Sequence, residues 1–132
     1  MDGIDEDDVV EMNQYIDCLK KRETDKHMIL QKIYTTNMHL IEEKLDALYG
    51  YTLVSDLDQF VEGKYIKWIN KKTKILNRGA FFSRIDIGKS NDIFCVCKTV
   101  MNRYFSIPFN DMHIFQKLST QEMVIYEVIL ST

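Results

Sequence analysis

The apolar residues of the N-terminal part recur at helical spacing. Residues 5–49 contain no proline and no glycine, and their apolar side chains are separated by three or four positions. This spacing places them along one stripe of an α-helix. The acidic residues 5–8 suit a helix N-terminus, where the free N–H groups carry positive partial charge, and Gly50 suits the residue that ends a helix. The pattern predicts one long helix.

A helix of that length measures roughly 65 to 70 Å, more than the small remaining domain can cover. Such a long apolar stripe is typical of a coiled coil, although Glu23, Lys26 and Asn37 interrupt it at core positions. The alternative is a helical hairpin that turns near Glu23 to Lys26, but residues 20–27 contain no Gly, Pro or Asn to form a turn. The residues predicted to mediate oligomerisation are Met12, Ile16, Leu19, Leu30, Ile33, Leu40, Leu45 and Leu48.

The period of the apolar pattern changes to two after Gly63. Five short runs at roughly ten-residue spacing favour a small antiparallel barrel, since closure removes exposed sheet edges. Pro108 has no N–H to donate and therefore suits an edge strand. The five predicted strands lie within residues 65–70, 75–88, 93–98, 103–109 and 113–118, and the predicted inward residues are Phe81, Ile85, Cys95, Phe105 and Ile107.

These patterns predict an α+β chain in four parts. A long helix (1–50) and a connector (51–62) precede an SH3-like or Tudor-like barrel of five strands (63–118). The connector carries a weak capping pattern that predicts a single helical turn. In the last part (119–132), Ser119 followed by Glu122 forms a capping-box signature, which favours a short helix, although the apolar run after it leaves a strand open.

The net charge of −3 conceals a division along the chain. Residues 1–61 contain 14 acidic and 6 basic residues, whereas residues 62–118 contain 4 acidic and 11 basic residues. One half of the molecule should therefore attract what the other half repels. The overall pI of about 5.6 is lower than the basic pI expected of a chain that binds nucleic acid with its whole surface.

The residue types that carry catalysis or metal binding are not grouped in a recognisable motif. Cys18, Cys95 and Cys97 are odd in number and suit a reducing compartment. Cys95 and Cys97 would share one face of a strand, where core packing is a stronger interpretation than a metal site with His113. We therefore expect no enzyme, cofactor or metal. No stretch approaches the length of a membrane span.

A basic block follows the connector, with Tyr65 and an aromatic Trp68 inside it. One interpretation is a surface that binds phosphates while rings stack on bases. A second is a solvated loop with Trp68 packed in the barrel wall, and a third is docking on the acidic helix of a neighbouring subunit. The candidate partner-binding or nucleic-acid-binding residues are Lys64, Lys67, Trp68, Lys71, Lys72, Lys74, Arg78 and Arg84.

The segments "GKYIKWIN", "LNRGAFF" and "HIFQKL" resemble small proteins of nucleocytoplasmic large DNA viruses, most of them without an assigned function. The resemblance covers roughly residues 61–118 and not the helix or the C-terminal part. It implies a helical region before a barrel-like part and a viral setting, but no chemistry; a role in the virion or its assembly fits such a setting. The residues that carry it are Gly63, Lys64, Tyr65, Ile66, Trp68, Gly79 and Phe115.

The sequence thus predicts a non-enzymatic, self-associating structural or assembly protein. The helix would form a homo-oligomer, and the barrel would dock a protein partner in the host cytoplasm and in the virion. The alternative is a nucleic-acid-binding module with a basic barrel face that dimerises through the helix.

Overall fold

A layer of helices packs against one antiparallel sheet in the computed structural model, which describes residues 5–35 and 37–131. Within these residues the sheet has six strands, and two single turns of 3₁₀ helix lie at Leu57–Gln59 and Phe109–Asp111. The α-helices and strands, in chain order, are α1 (Glu6–Tyr34), α2 (Met38–Ala47), β1 (Tyr51–Val54), β2 (Tyr65–Asn70), β3 (Ala80–Ile87), β4 (Ile93–Lys98), β5 (Tyr104–Pro108), β6 (Met112–Lys117) and α3 (Thr120–Leu130).

The helical region is interrupted near residue 37. The Asp5 carboxylate caps the start of α1 by accepting a hydrogen bond from the Asp7 N–H at 3.3 Å. The Asn37 side chain accepts one from the Leu40 N–H at 3.0 Å and so caps α2. Asparagine is favoured at such a cap and disfavoured inside a helix. The prediction of one helix to residue 49 is therefore wrong, and the alternative turn at residues 23–26 is wrong as well.

The six strands form an open antiparallel sheet in the order β1-β6-β2-β3-β4-β5. The prediction missed β1, a strand of only four residues, because it placed residues 51–62 in a connector. β1 pairs with β6, so the edges of the sheet are β1 and β5, and the predicted closed five-stranded SH3-like barrel is not confirmed. Pro108 lies on the edge strand β5, as predicted.

The sheet buries side chains on both of its faces. The curled face encloses what we call the inner core, where the ring centroids of Trp68 and Phe105 lie 5.9 Å apart. The opposite face packs against α1 and α2 to form what we call the helix core. The inner core includes Ile66, Trp68, Phe82, Cys95, Cys97, Ile107 and Ile114, and the helix core includes Leu30, Tyr34, Ile41, Leu48, Leu53, Ile69 and Phe115.

A β-bulge in β3 changes which of its side chains are buried. The pairing of β3 with β4 shifts by one residue between Phe82 and Arg84. Phe82 and Ile85 therefore both reach the inner core, although they are an odd number of positions apart. The predicted inward residue Phe81 lies on the opposite face and is only half-buried, so its predicted orientation is wrong.

The connector between β1 and β2 closes one opening of the inner core. Its predicted helical turn is confirmed as the 3₁₀ turn Leu57–Gln59. Phe60 stacks on Phe82 with ring centroids 4.3 Å apart. The buried amide of Gln116 accepts a hydrogen bond from the Val61 N–H at 2.8 Å and donates one to the Gln59 carbonyl at 3.0 Å. These contacts hold the connector beside β2 and β3.

A buried ammonium group joins α1 to the start of the sheet and to α3. Lys26 is 1% exposed, and its Nζ donates to the carbonyl oxygens of Leu48 and Tyr51, each at 3.1 Å. It also donates to the Tyr126 hydroxyl at 3.2 Å and forms an ion pair with Glu23 at 2.8 Å. Burial lowers the pKa of Lys26, and the Glu23 carboxylate opposes that shift. Glu23 and Lys26, which interrupt the predicted coiled coil, thus form the polar centre of the fold.

Helix α3 covers the end of the helix core next to this ammonium. Ser119 and Glu122 form the predicted capping box, with the Ser119 N–H donating to Glu122 at 2.8 Å and the Glu122 N–H donating to Ser119 at 3.2 Å. The expectation of a helix over a strand is confirmed. Tyr126, Leu118 and Leu19 bury one another between α3 and α1.

We predict that Lys26→Met lowers the free energy of unfolding by about 3 to 5 kcal/mol, because it leaves Glu23 and two carbonyl groups without their buried partner. Methionine keeps an apolar side chain of similar length, so the decrease in the free energy of unfolding reports on the removal of the ammonium group. Urea unfolding measures the difference. The control Lys21→Met removes an exposed lysine from the same helix and should leave the unfolding midpoint close to wild type. Equal midpoints for the two variants would contradict the role of the buried ammonium.

Candidate binding surface

Aromatic and lysine side chains line up across all six strands on the face opposite the inner core. The strand register pairs Tyr51 with Lys117, Tyr65 with Phe81, Phe81 with Lys98, and Lys98 with Tyr104. Lys117 stands one position beyond the pair Ile66–Gln116 and therefore lies opposite Tyr65. Directly paired residues project from the same face of a sheet. The aromatic–lysine row, in spatial order, is Tyr51, Lys117, Tyr65, Phe81, Lys98 and Tyr104.

The row crosses six strands, so it is roughly 24 Å long at about 4.8 Å per strand. Tyr104 is 59% exposed, and Lys98 lies with its Nζ 6.0 Å from the Tyr104 ring centroid. The rings of Tyr65 and Phe81 meet edge to face at 5.1 Å and are both half-buried. Tyr51 is buried at the β1 end of the row. The accessible rings therefore lie over β2, β3 and β5.

Two clefts flank the row and meet at Gly63 and Phe81. The larger, of about 470 Å³, lies between Tyr65 and Lys117. The smaller, of about 340 Å³, lies between Phe81 and Tyr104. Of the described residues that line the two clefts, only Glu62 is acidic. The row is thus bordered by open space on a surface where lysines outnumber acids.

Gly79 allows β3 to approach β2 beneath the row. It has φ of 105°, and a Cβ atom at this position would lie 2.3 Å from the Ile66 carbonyl oxygen and 2.7 Å from the Tyr65 ring. Neither the backbone conformation nor the space suits a side chain. The Tyr65 hydroxyl donates to the Arg78 carbonyl at 3.3 Å, which orients the ring along the sheet.

Lys64 is tied to α3 by an ion pair with Glu122. The other Glu122 oxygen accepts a hydrogen bond from the Tyr15 hydroxyl at 2.9 Å. Burial raises the pKa of Glu122, but Lys64, Ser119 and Tyr15 outweigh burial and hold that pKa at about 2. Burial and the nearby Glu122 raise the pKa of Tyr15. This cluster fixes α1 and α3 beside the larger cleft and neutralises part of the charge of Lys64.

The predicted basic residues do not form one surface. Trp68 is 5% exposed in the inner core, so it packs in the sheet and cannot stack on a ligand. Lys67 donates to the Ala47 carbonyl at 3.0 Å and lies 4.6 Å from the Tyr51 ring centroid. Arg84 forms an ion pair with Asp86 on its own strand.

The remaining predicted basic residues lie in the β2–β3 loop. Lys71, Lys72 and Lys74 are exposed at the far end of β2. Lys71 is six positions along the chain from Tyr65, a distance of about 20 Å in an extended strand. Arg78 is exposed and lies closer to the row, because its carbonyl accepts the hydrogen bond from Tyr65. The lysine loop and the row are therefore two separate basic regions.

Most of the predicted oligomerisation residues are used inside the monomer. Leu19, Leu30 and Leu48 are at most 2% exposed, whereas Met12 is 50% exposed. Ile33, Leu40 and Leu45 pack against the helix core, and Ile16 is half-buried. The apolar stripe of the helices thus covers the sheet of its own chain, and a coiled-coil interface through these residues has no support in their packing.

Cys95 and Cys97 lie in the inner core, as the packing interpretation predicts. Burial raises the pKa of Cys95 to about 12 and that of Cys97 to about 11, so both thiols stay protonated near neutral pH. Across residues 5–35 and 37–131, no group of three His, Cys, Asp or Glu side chains is placed to hold a metal ion. No helix in the same residues is long and apolar enough to cross a membrane.

Comparison with known proteins identifies no relative of this chain. No family model matches it, and neither a curated protein nor a solved structure does.

Sequence reasoning did not find the aromatic–lysine row. Its members come from six strands and are spaced irregularly along the chain, and they become neighbours only through the strand register. The alternation of single strands marks which residues share a face but not which strands are adjacent. The bulge in β3 also concealed the orientation of Phe81.

We predict that acid destabilises the protein through Glu122. Its folded-state pKa of about 2 lies below the usual value of about 4.3, so the carboxylate stabilises the fold above the usual value. That contribution is lost as the pH falls from about 5 to about 2. Urea unfolding at several pH values should show that Glu122→Gln lowers stability at neutral pH and flattens this acid dependence. The exposed Glu127, on the same helix, provides the control Glu127→Gln, which should keep the wild-type pH profile; a profile unchanged in Glu122→Gln would contradict the assignment.

Proposed function

We propose that the protein is a binding module that holds single-stranded nucleic acid along the aromatic–lysine row. The observation that carries the proposal is that aromatic rings and a lysine stand side by side across neighbouring strands at Tyr65, Phe81, Lys98 and Tyr104. This proposal corresponds to the alternative function predicted from the sequence, a nucleic-acid-binding module. The residues that would bind the strand differ from the predicted ones.

Rings and lysines contribute in different ways. Every nucleobase has a flat face, so stacking on exposed aromatic rings binds a single strand with little sequence preference. Lysines beside those rings neutralise phosphates and release counterions. Tyr104, with Lys98 beside its ring, supplies both contacts within 6.0 Å.

The arrangement favours single strands over duplexes. Bases in a duplex are stacked on one another and cannot lie flat on Tyr104 or Phe81. An extended strand can follow the row, because successive unstacked bases can occupy the two clefts on either side of Phe81.

The first function predicted from the sequence was self-association with a protein partner in a viral assembly. The burial of the predicted seam residues Leu19, Leu30 and Leu48 removes the basis for a coiled coil. Self-association therefore needs a different surface. The viral setting implied by the resemblance stays a prediction.

We predict saturable binding of a labelled single-stranded oligonucleotide at physiological salt, measured by fluorescence anisotropy, and weaker binding of the matching duplex. Tyr104→Ala should weaken the single-strand complex by about 1 to 3 kcal/mol, the contribution of one stacked base. Tyr104 is exposed, so its replacement should not disturb folding.

The role of the lysines is tested with two charge-matched double variants. Lys98→Glu with Lys117→Glu reverses the charge of the row, and Lys71→Glu with Lys72→Glu reverses the charge of the distant β2–β3 loop. The row variant should lose saturable binding and the loop variant should keep it, although both change the net charge equally. Loss of binding in the loop variant alone, or no saturable binding by the wild-type protein, would refute the proposal.

A further inference from the structure

The first turns of α1 extend beyond the packed part of the molecule. We call residues 5–14 the acidic arm; every one of them is exposed. The helix is packed from Tyr15 onward, where that hydroxyl binds Glu122 at 2.9 Å, and Leu19 is 2% exposed. Because α1 is continuous from Glu6 to Tyr34, the arm keeps the direction of the packed helix.

The arm carries charge that its own chain does not neutralise. No basic residue precedes Lys20 in the sequence. Among the described residues, none of the arm's carboxylates forms an ion pair. Only the helix N-terminus offsets their mutual repulsion, and this effect is limited to the first turn. The carboxylates are those of Asp5, Glu6, Asp7, Asp8 and Glu11.

The arm also carries exposed apolar side chains, and exposed apolar side chains lie at one end of the row as well. Val10 and Met12 are 52% and 50% exposed. In the loop between β4 and β5, Val100 and Met101 are each 76% exposed, and Val100 lines the smaller cleft together with Tyr104. The nine helical residues of the arm span about 14 Å, which matches three inter-strand spacings of the row. Charge, apolar surface and length of the arm thus complement the row.

We infer that the acidic arm of a second copy docks on the aromatic–lysine row, so that the protein self-associates through the surface that binds nucleic acid. The inference rests on the proposed function, because both ligands use the same row. Two copies that exchange arms about a two-fold axis fill both rows, whereas one-way docking extends the assembly. A nucleic-acid strand and the neighbour's arm exclude each other, so binding of the strand releases the neighbour.

The oligomeric state of the full chain tests the docking. Light scattering after size exclusion should show association at low salt and its loss at high salt, because exposed charges are screened. Asp7→Asn with Asp8→Asn and Glu11→Gln should give monomers. The control Glu42→Gln with Glu43→Gln and Asp46→Asn removes three exposed charges from α2 and should associate as wild type does. A monomeric wild-type protein, or loss of association in both triple variants, would overturn the inference.

A charge exchange identifies the contacting surfaces. The chain with Lys98→Glu and Lys117→Glu should be monomeric alone, and so should the chain with Asp7→Lys, Asp8→Lys and Glu11→Lys. A mixture of the two should associate, because the basic arm of one then meets the acidic row of the other. Failure of the mixture to associate would show that arm and row do not meet.

The same variants separate this inference from the proposed function. The arm-neutralised chain should bind the labelled single strand several-fold more tightly than wild type, because the competing arm is gone. Unlabelled strand added to the wild-type protein should dissociate it. A strand that binds without dissociation would refute the shared surface. If no variant binds the strand, the proposed function fails, and the charge exchange alone decides whether arm and row meet.

Discussion

The ammonium group of Lys26 sets the relative positions of the helices and the sheet. A buried charge is tolerated only when its hydrogen-bonding capacity is met, and here the acceptors come from three separate parts of the chain. Glu23 lies on the same helix, the carbonyl groups of Leu48 and Tyr51 flank the turn into β1, and Tyr126 comes from α3. A displacement of any of these parts would leave the ammonium without an acceptor. The position of β1, and with it the first residue of the row, is thereby linked to α1.

The sequence predicted the features that depend on neighbouring residues. The acidic start of α1, the strand at residues 93–98 and the capping box at Ser119 each arise from local chemistry and appear in the structure. The sequence marks Asn37 as a polar interruption but does not reveal its role as a cap, because the helical periodicity continues on both sides of it. Lys26 could not be interpreted from its surroundings in sequence, since Tyr126 lies 100 residues away.

The bulge in β3 shows how one residue limits what periodicity can predict. Strict alternation assigns Phe81 and Ile85 to the core together, and a single inserted residue places Phe82 there in place of Phe81 while Ile85 stays inward. Phe81 is then available on the opposite face, between Tyr65 and Lys98. The candidate site therefore depends on a backbone irregularity and on strand order, and neither is encoded in the spacing of apolar residues. Composition correctly indicated a basic C-terminal half, but not which of its lysines stand together.

The position of β6 in the sheet has a consequence for synthesis on the ribosome. β6 lies between β1 and β2, although it is the last of the described strands to be made. At about 5 to 20 residues per second, the stretch from β1 to β6 takes roughly 3 to 12 seconds to translate. During this time β1 has no neighbouring strand, because its partner in the sheet is β6, and the helix core lacks Phe115. The helix core, whose helices are synthesised first, is therefore completed only when β6 has been made.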